Sequence, residues 1–141
     1  MAQLSQEHYT ADAVIVWCFD NRFWPAFLEF VKEQKLVHFD PIFIAGGAKS
    51  LAAPEKPEDK DFVLRQIEKS IALHKAAKII LMTHSDCGAF GGLQGFGNNK
   101  EGEFNRHKEV MADAKKALGE KFPGKPVEAY FFHFGGAIVI P

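Results

Sequence analysis

Ala13-Val14-Ile15-Val16-Trp17-Cys18-Phe19-Asp20 is the stretch on which the fold turns. Its first five residues are apolar without a break and rich in β-branched side chains, the pattern of a strand buried on both faces in a parallel sheet. Its last three bring a thiol and a carboxylate. A second stretch repeats the design: Lys78-Ile79-Ile80-Leu81-Met82 is another buried-strand run, and Thr83-His84-Ser85-Asp86-Cys87 comes directly after it. Ligands of open α/β sheets collect at the carboxyl ends of the strands. The chain therefore sets its softest and most polar groups at one rim.

Helices are expected between these strands. Over 24–35, Pro25 stands near the start and Phe27, Leu28, Phe30 and Val31 recur at helical spacing. Residues 41–45 predict a second short strand closed by Gly46-Gly47. Residues 49–60, with Pro54, Pro57 and several charges, predict a solvated surface loop, and Asp59 or Asp61 is a candidate cap for the next helix. That helix, over 62–76, then feeds the strand at 78–82. Residues 88–102, with Gly91, Gly92, Gly95, Gly97 and Asn98-Asn99, predict a loop, and 104–118 an amphipathic helix. Apolar segments at 127–134 and 137–140 flank Gly135-Gly136, as a strand with a hairpin partner or as one strand with a glycine break. The alternation implies one α/β domain over 1–141, a mostly parallel open sheet with flanking helices and right-handed crossovers.

Composition narrows the function. With 141 residues, 47% hydrophobic and 25% charged, the chain has the make-up of one globular core. The formal net charge is -1 and the cations are scattered, so neither nucleic acid nor an anionic membrane surface is an expected partner. Residues 1–12 hold no basic stretch leading into an apolar core, and no window approaches the roughly 18 apolar residues that span a bilayer. The expected location is cytoplasmic. In a reducing compartment two distant cysteines suit buried thiols, catalysis or metal binding better than a disulfide.

Thiolate sulfur and imidazole nitrogen are preferred zinc ligands, and three protein ligands leave a fourth position for water. Cys18, His84 and Cys87 could supply that set, because one tight turn can present His84 and Cys87 to a common point. The bound water, lowered in pKa toward about 7, would be hydroxide at neutral pH. Asp20 and Arg22 lie two and four residues beyond Cys18. A carboxylate held by a guanidinium keeps its charge and orientation, and can aim such a hydroxide by accepting its hydrogen bond.

Cys18-Phe19-Asp20-Asn21-Arg22 and His84-Ser85-Asp86-Cys87-Gly88 resemble the two signature motifs of the β-carbonic anhydrases, Cys-x-Asp-x-Arg and His-x-x-Cys-Gly. The resemblance covers about residues 13–92, and 127–140 matches the family's closing strand in pattern. It implies reversible hydration of carbon dioxide to bicarbonate, with one zinc ion per chain on Cys18, His84 and Cys87, and with Asp20 and Arg22 as the catalytic dyad. It also implies a homodimer or higher homo-oligomer. Some members rest with the dyad aspartate on the metal, a form open to Asp20. The chain departs from the family where Phe43-Ile44 stand in place of a frequent Arg-Asn. It is expected to depart again before its first strand, where only about a dozen residues stand in place of the helices that usually clasp the partner subunit.

Two other functions stay open beside hydration: a non-catalytic zinc-binding module, and a carbon disulfide or carbonyl sulfide hydrolase built on the same site. A cysteine-phosphatase loop needs its arginine six positions after the cysteine, and thioredoxin chemistry needs Cys-x-x-Cys; the chain has neither. The turn after the first strand is not glycine-rich, so mononucleotide binding lacks its cradle. Singly, each cysteine would be a buried structural thiol and the Asp20–Arg22 pair a surface ion pair. His8, His38, His74, His107 and His133 have no ligand partner at a recognisable spacing and are expected to be structural or exposed, with His107 a candidate proton shuttle. Asp86 is expected to tie its turn by local hydrogen bonds, and 91–97 to be a passive loop rather than a lid.

Overall fold

Strand β1 (Ala13–Trp17) is buried along its whole length, and its side chains divide strictly by parity. Val14 and Val16 enter one apolar cluster, while Ala13, Ile15 and Trp17 enter the other. Strand β3 (Ile79–His84) divides the same way, Ile79 and Leu81 against Ile80 and Met82. A strand covered on both faces has no solvent side, which is why 13–17 and 79–82 are apolar throughout. Each such buried Ile, Leu or Phe contributes about 1.5–3 kcal/mol over its exposed state.

The computed structural model describes Met1–Pro141. Its sheet has the order β2-β1-β3-β4-β5, with β2 Phe39–Phe43, β4 Val127–His133 and β5 Gly136–Ile140. The first three neighbouring pairs are parallel and the last is antiparallel. Helix α1 (Trp24–Glu33) covers one face with Phe27 and Phe30. Helices α2 (Lys49–Ala52), α3 (Pro57–His74) and α4 (Lys100–Lys121) cover the other, through Leu51, Val63, Ile67, Met111 and Leu118. The α/β architecture and flanking helices agree with the sequence-based expectation, and of the two options at the carboxyl end the hairpin is the one formed. No helix is long and apolar enough to cross a membrane.

Several boundaries differ from the expectation, each for a local reason. Strand β2 starts at Phe39, ahead of Pro41, because an edge strand tolerates a proline that has no ladder hydrogen to give. Residues 49–60 are not simply a loop: they hold α2 and the start of α3, with Pro57 in the first turn where its missing N–H costs nothing. Asp59 does act at that end, its Oδ2 accepting the Lys56 amide at 3.3 Å. Helix α4 starts ahead of residue 104 because Asn99 caps it, its Oδ1 accepting the Gly102 amide at 3.0 Å. That cap offsets the roughly 1 kcal/mol that Gly102 costs within the helix.

Gly47 joins β2 to the site. It has φ +54°, and a Cβ there would lie 2.3 Å from the Met82 carbonyl and 3.2 Å from the Cys18 amide. The close approach of backbone to backbone, more than a plain turn, accounts for this glycine. Gly47→Ala is expected to lose about 3 kcal/mol or more through the left-handed backbone and the clash. The melting midpoint should fall by about 10 °C, as calorimetry would show.

Candidate metal centre

The order β2-β1-β3 makes β1 and β3 the neighbours where the chain reverses its direction of build across the sheet, and such a switch point opens a crevice at the strands' carboxyl ends. Cys18 leaves β1 there and His84 ends β3. The next turn folds Cys87 back, with Asp86 at φ +55°. The ligand atoms of Cys18, His84 and Cys87 all lie within 4.8 Å of one another, and all three residues are buried.

Three observations show that this donor set fits a metal ion. The Nδ1 of His84 bonds the Ser85 carbonyl at 2.7 Å, so it carries the proton and Nε2 presents a lone pair. That Nε2 is buried with no hydrogen-bond partner. Backbone N–H groups near both sulfurs, those of Asp20 and Gly46 at Cys18 and those of Ala89 and Phe90 at Cys87, favour the thiolate forms. The hydrogen bond from Cys87 holds the Cys18 thiol down, and that same contact, with burial, pushes Cys87 up. A cation between them would relieve the conflict.

Asp20 reaches the same point, its Oδ2 lying 3.8 Å from His84 Nε2. It caps a 3-10 turn over Asn21–Phe23, with Oδ1 accepting the Arg22 amide at 3.0 Å. Arg22 grips the carboxylate through Nη2 at 2.6 Å and Nε at 3.1 and 3.2 Å. These bonds hold Asp20 down at about 2. Arg22 also spans to the second motif, its Nη1 reaching Asp86 Oδ2 and its Nη2 the Asp86 carbonyl, both at 3.0 Å. Phe23 and Trp17 pack their rings on His84 at 4.4 and 5.6 Å, an apolar wall behind the ligand.

The structure thus brings together all five residues singled out in the sequence. Asp86 does more than tie its own turn. Its Oδ1 accepts the Leu93 amide at 2.8 Å, which anchors the glycine loop. Sequence reasoning missed Glu103, whose carboxylate holds Ser85 and Asp86 from behind. A signal existed: Glu103 heads the apolar stripe His107, Met111, Ala114 and Leu118 on α4, where a charge is out of place. His107 is no proton shuttle. It is fully buried, bonded to Thr83 Oγ1 at 2.8 Å and stacked on Phe90, and burial lowers its pKa to about 3. His74 bonds Asp40 at 2.7 Å, away from the centre.

Two clefts meet over Cys18, Phe19 and Asp20. One, of about 740 Å³, runs past Arg22, Cys87 and Gly88; the other, of about 330 Å³, is walled by Trp17, Trp24 and Phe43. Ile44 turns away into a neighbouring cleft with Lys49 and Phe62.

Comparison with known proteins decides the family. The family described as "Putative carbonic anhydrase" matches residues 8–136. The chain belongs to this carbonic anhydrase family. Within reach of it lie an uncharacterized protein of Rickettsia bellii, 27% identical over 96% of this chain and 87% of that protein, and one of Rickettsia conorii, 25% identical over 96% and 77%. Carbonic anhydrase of Streptococcus mutans superposes with TM-score 0.66 at 19% identity, over 100% of this chain and 87% of that one. β-Carbonic anhydrase isoform I of Trichomonas vaginalis gives 0.61 at 15% identity, over 99% and 87%. At these identities the likeness shows the carbonic anhydrase fold, and the chemistry rests on the residues above.

Proposed function

We propose that this member of the carbonic anhydrase family is a zinc enzyme that reversibly hydrates carbon dioxide to bicarbonate. Cys18, His84 and Cys87 would hold one ion per chain, and Asp20 and Arg22 would form the catalytic dyad. The observation that carries this reading is the bare His84 Nε2, buried between two sulfurs and faced at 3.8 Å by a carboxylate oxygen. A structural zinc site would be closed by a fourth strong ligand, whereas here the fourth approach belongs to a carboxylate already held by Arg22.

When bound, zinc supplies Lewis-acid activation of water near neutral pH. The chain's residues do the rest. Asp20 accepts a hydrogen bond from the reacting water and turns its lone pair toward the carbon of the substrate. Arg22 keeps Asp20 ionised and fixed, and is itself fixed by Asp86. Trp17 and Phe23 exclude water from behind His84, so the field of the charged groups is little screened.

A pH profile tests this reading. The pKa of Asp20 is depressed from 3.8 to about 2, so its contribution to stability is present above 3.8 and is lost as pH falls through about 2. Asp20 is therefore ionised across the working range and adds no limb to the rate profile between about pH 4 and 6. Stopped-flow assay of zinc-loaded protein should show hydration rising between about pH 7 and 9, as the activated water ionises. Hydration no faster than buffer across that window counts against the reading.

The apolar wall of Phe19, Trp24 and Phe43 beside Cys18 favours one second reading, hydrolysis of carbon disulfide or carbonyl sulfide at the same centre; sulfide release would distinguish it. The homodimer or higher oligomer remains part of the proposal. Strand β5 is an edge with Ile138 and Val139 exposed, a surface that pairs readily with another copy. A single-chain mass in sedimentation would argue against it.

A further inference from the structure

We infer that Glu103 is a positioning residue of the metal centre, one that sets the turn between His84 and Cys87 and, through it, the dyad; this rests on the zinc reading above. Glu103 lies in the first turn of α4 and is 1% exposed. A carboxylate taken out of water is costly unless its oxygens are satisfied. Here no lysine or arginine pairs with it, and its hydrogen bonds go to two groups of one turn. Oε1 accepts the Ser85 hydroxyl at 2.6 Å, and Oε2 accepts the Asp86 amide at 2.8 Å. Both donors sit between the two ligands of the second motif.

The turn needs such a hold. Asp86 has φ +55°, a left-handed conformation uncommon outside glycine, which Asp adopts more readily than most residues and which two sets of hydrogen bonds hold in place here. That conformation brings His84 and Cys87, three residues apart, to a common point. Glu103 fixes the turn from its amide side, and Arg22 grips its carbonyl and carboxylate from the other. Displacing Asp86 would therefore shift Cys87 and loosen Arg22 at once. Because Arg22 is also the partner that orients Asp20, a single buried carboxylate on α4 governs both the ligand set and the dyad. An anchor serving only to dock α4 would have no need to hold the one left-handed residue between two ligands.

The test compares zinc dissociation constants, by chelator competition, for the wild type, Glu103→Gln and Ser85→Ala. Glutamine keeps the shape but replaces one acceptor oxygen with an amide that cannot accept either donor. The positioning role predicts a zinc dissociation constant raised about 10–100-fold in Glu103→Gln, and an altered visible spectrum of the cobalt(II)-loaded protein. Ser85→Ala, which deletes one donor and leaves the helix intact, should show a smaller rise in the same direction and serves if Glu103→Gln does not fold. Glu101→Gln, exposed in the same helical turn, should match the wild type. Wild-type affinity and spectrum in both Glu103→Gln and Ser85→Ala, even with a lowered melting temperature, would overturn the proposal and leave Glu103 a structural anchor. A wild type that binds zinc yet hydrates nothing would sink the hydration reading alone, and the affinities would still decide this one. A wild type that binds no metal would overturn both.

Discussion

Asp20→Ala is expected to keep one zinc ion per chain and to lose about 100-fold or more in kcat for carbon dioxide hydration. Position is the reason for the loss. The Asp20 carboxylate faces the ligand cluster, its Oδ2 3.8 Å from His84 Nε2. Without it the reacting water keeps its charge but not its direction, and misorientation of a reacting group by about an ångström costs on the order of 10²-fold. Alanine removes no ligand, so the zinc remains. The substitution also frees the Arg22 guanidinium from three hydrogen bonds and the Arg22 amide from one, while the two bonds to Asp86 are expected to persist. Parallel zinc analysis and stopped-flow hydration would check both halves. A non-catalytic zinc module has no turnover to lose, so rates at buffer background in both wild type and variant would favour the module over the enzyme, and an unchanged rate above background would remove Asp20 from the dyad.

Cys87→Ser should have a larger effect, abolishing activity through the metal itself. Serine is a harder and far weaker ligand for zinc than thiolate. The two remaining ligands, Cys18 and His84, would then hold the ion with more than about 100-fold lower affinity, since 100-fold is the upper range for losing a mere outer partner. The fold should tolerate the change, because Cys87 comes after β3 and lies outside both apolar clusters. Chelator competition measures the affinity, and circular dichroism of the same sample shows that the sheet persists. Wild-type zinc affinity in this variant would remove Cys87 from the ligand set.

Much of this site was legible in the sequence because strands have a fixed direction and a sharp end. Residues 13–17 and 79–82 are unbroken apolar runs, and the first polar residues after each must emerge at the same rim once the two strands lie parallel and adjacent. The motif residues then need only local turns to converge. What sequence reasoning missed depends on long-range contact. Glu103 lies 17 residues beyond Asp86 in the chain, and only the packing of α4 on β4 beneath the turn brings them together. The bridge from Arg22 to Asp86 spans 64 residues and carries no pattern. Boundaries slipped where tertiary context outweighed local preference, as with Pro41 inside an edge strand and Gly102 inside a capped helix. His107 drew notice as a titratable group on an amphipathic helix. Its burial against Phe90 and Phe131 makes it a neutral packing element instead.

The metal content of the purified protein, by elemental analysis, tests the central claim most directly. About one zinc per chain is the result the account predicts, held by two sulfurs and an imidazole already converged to within 4.8 Å. Protein that carries no metal, even after zinc is offered under reducing conditions, would contradict it.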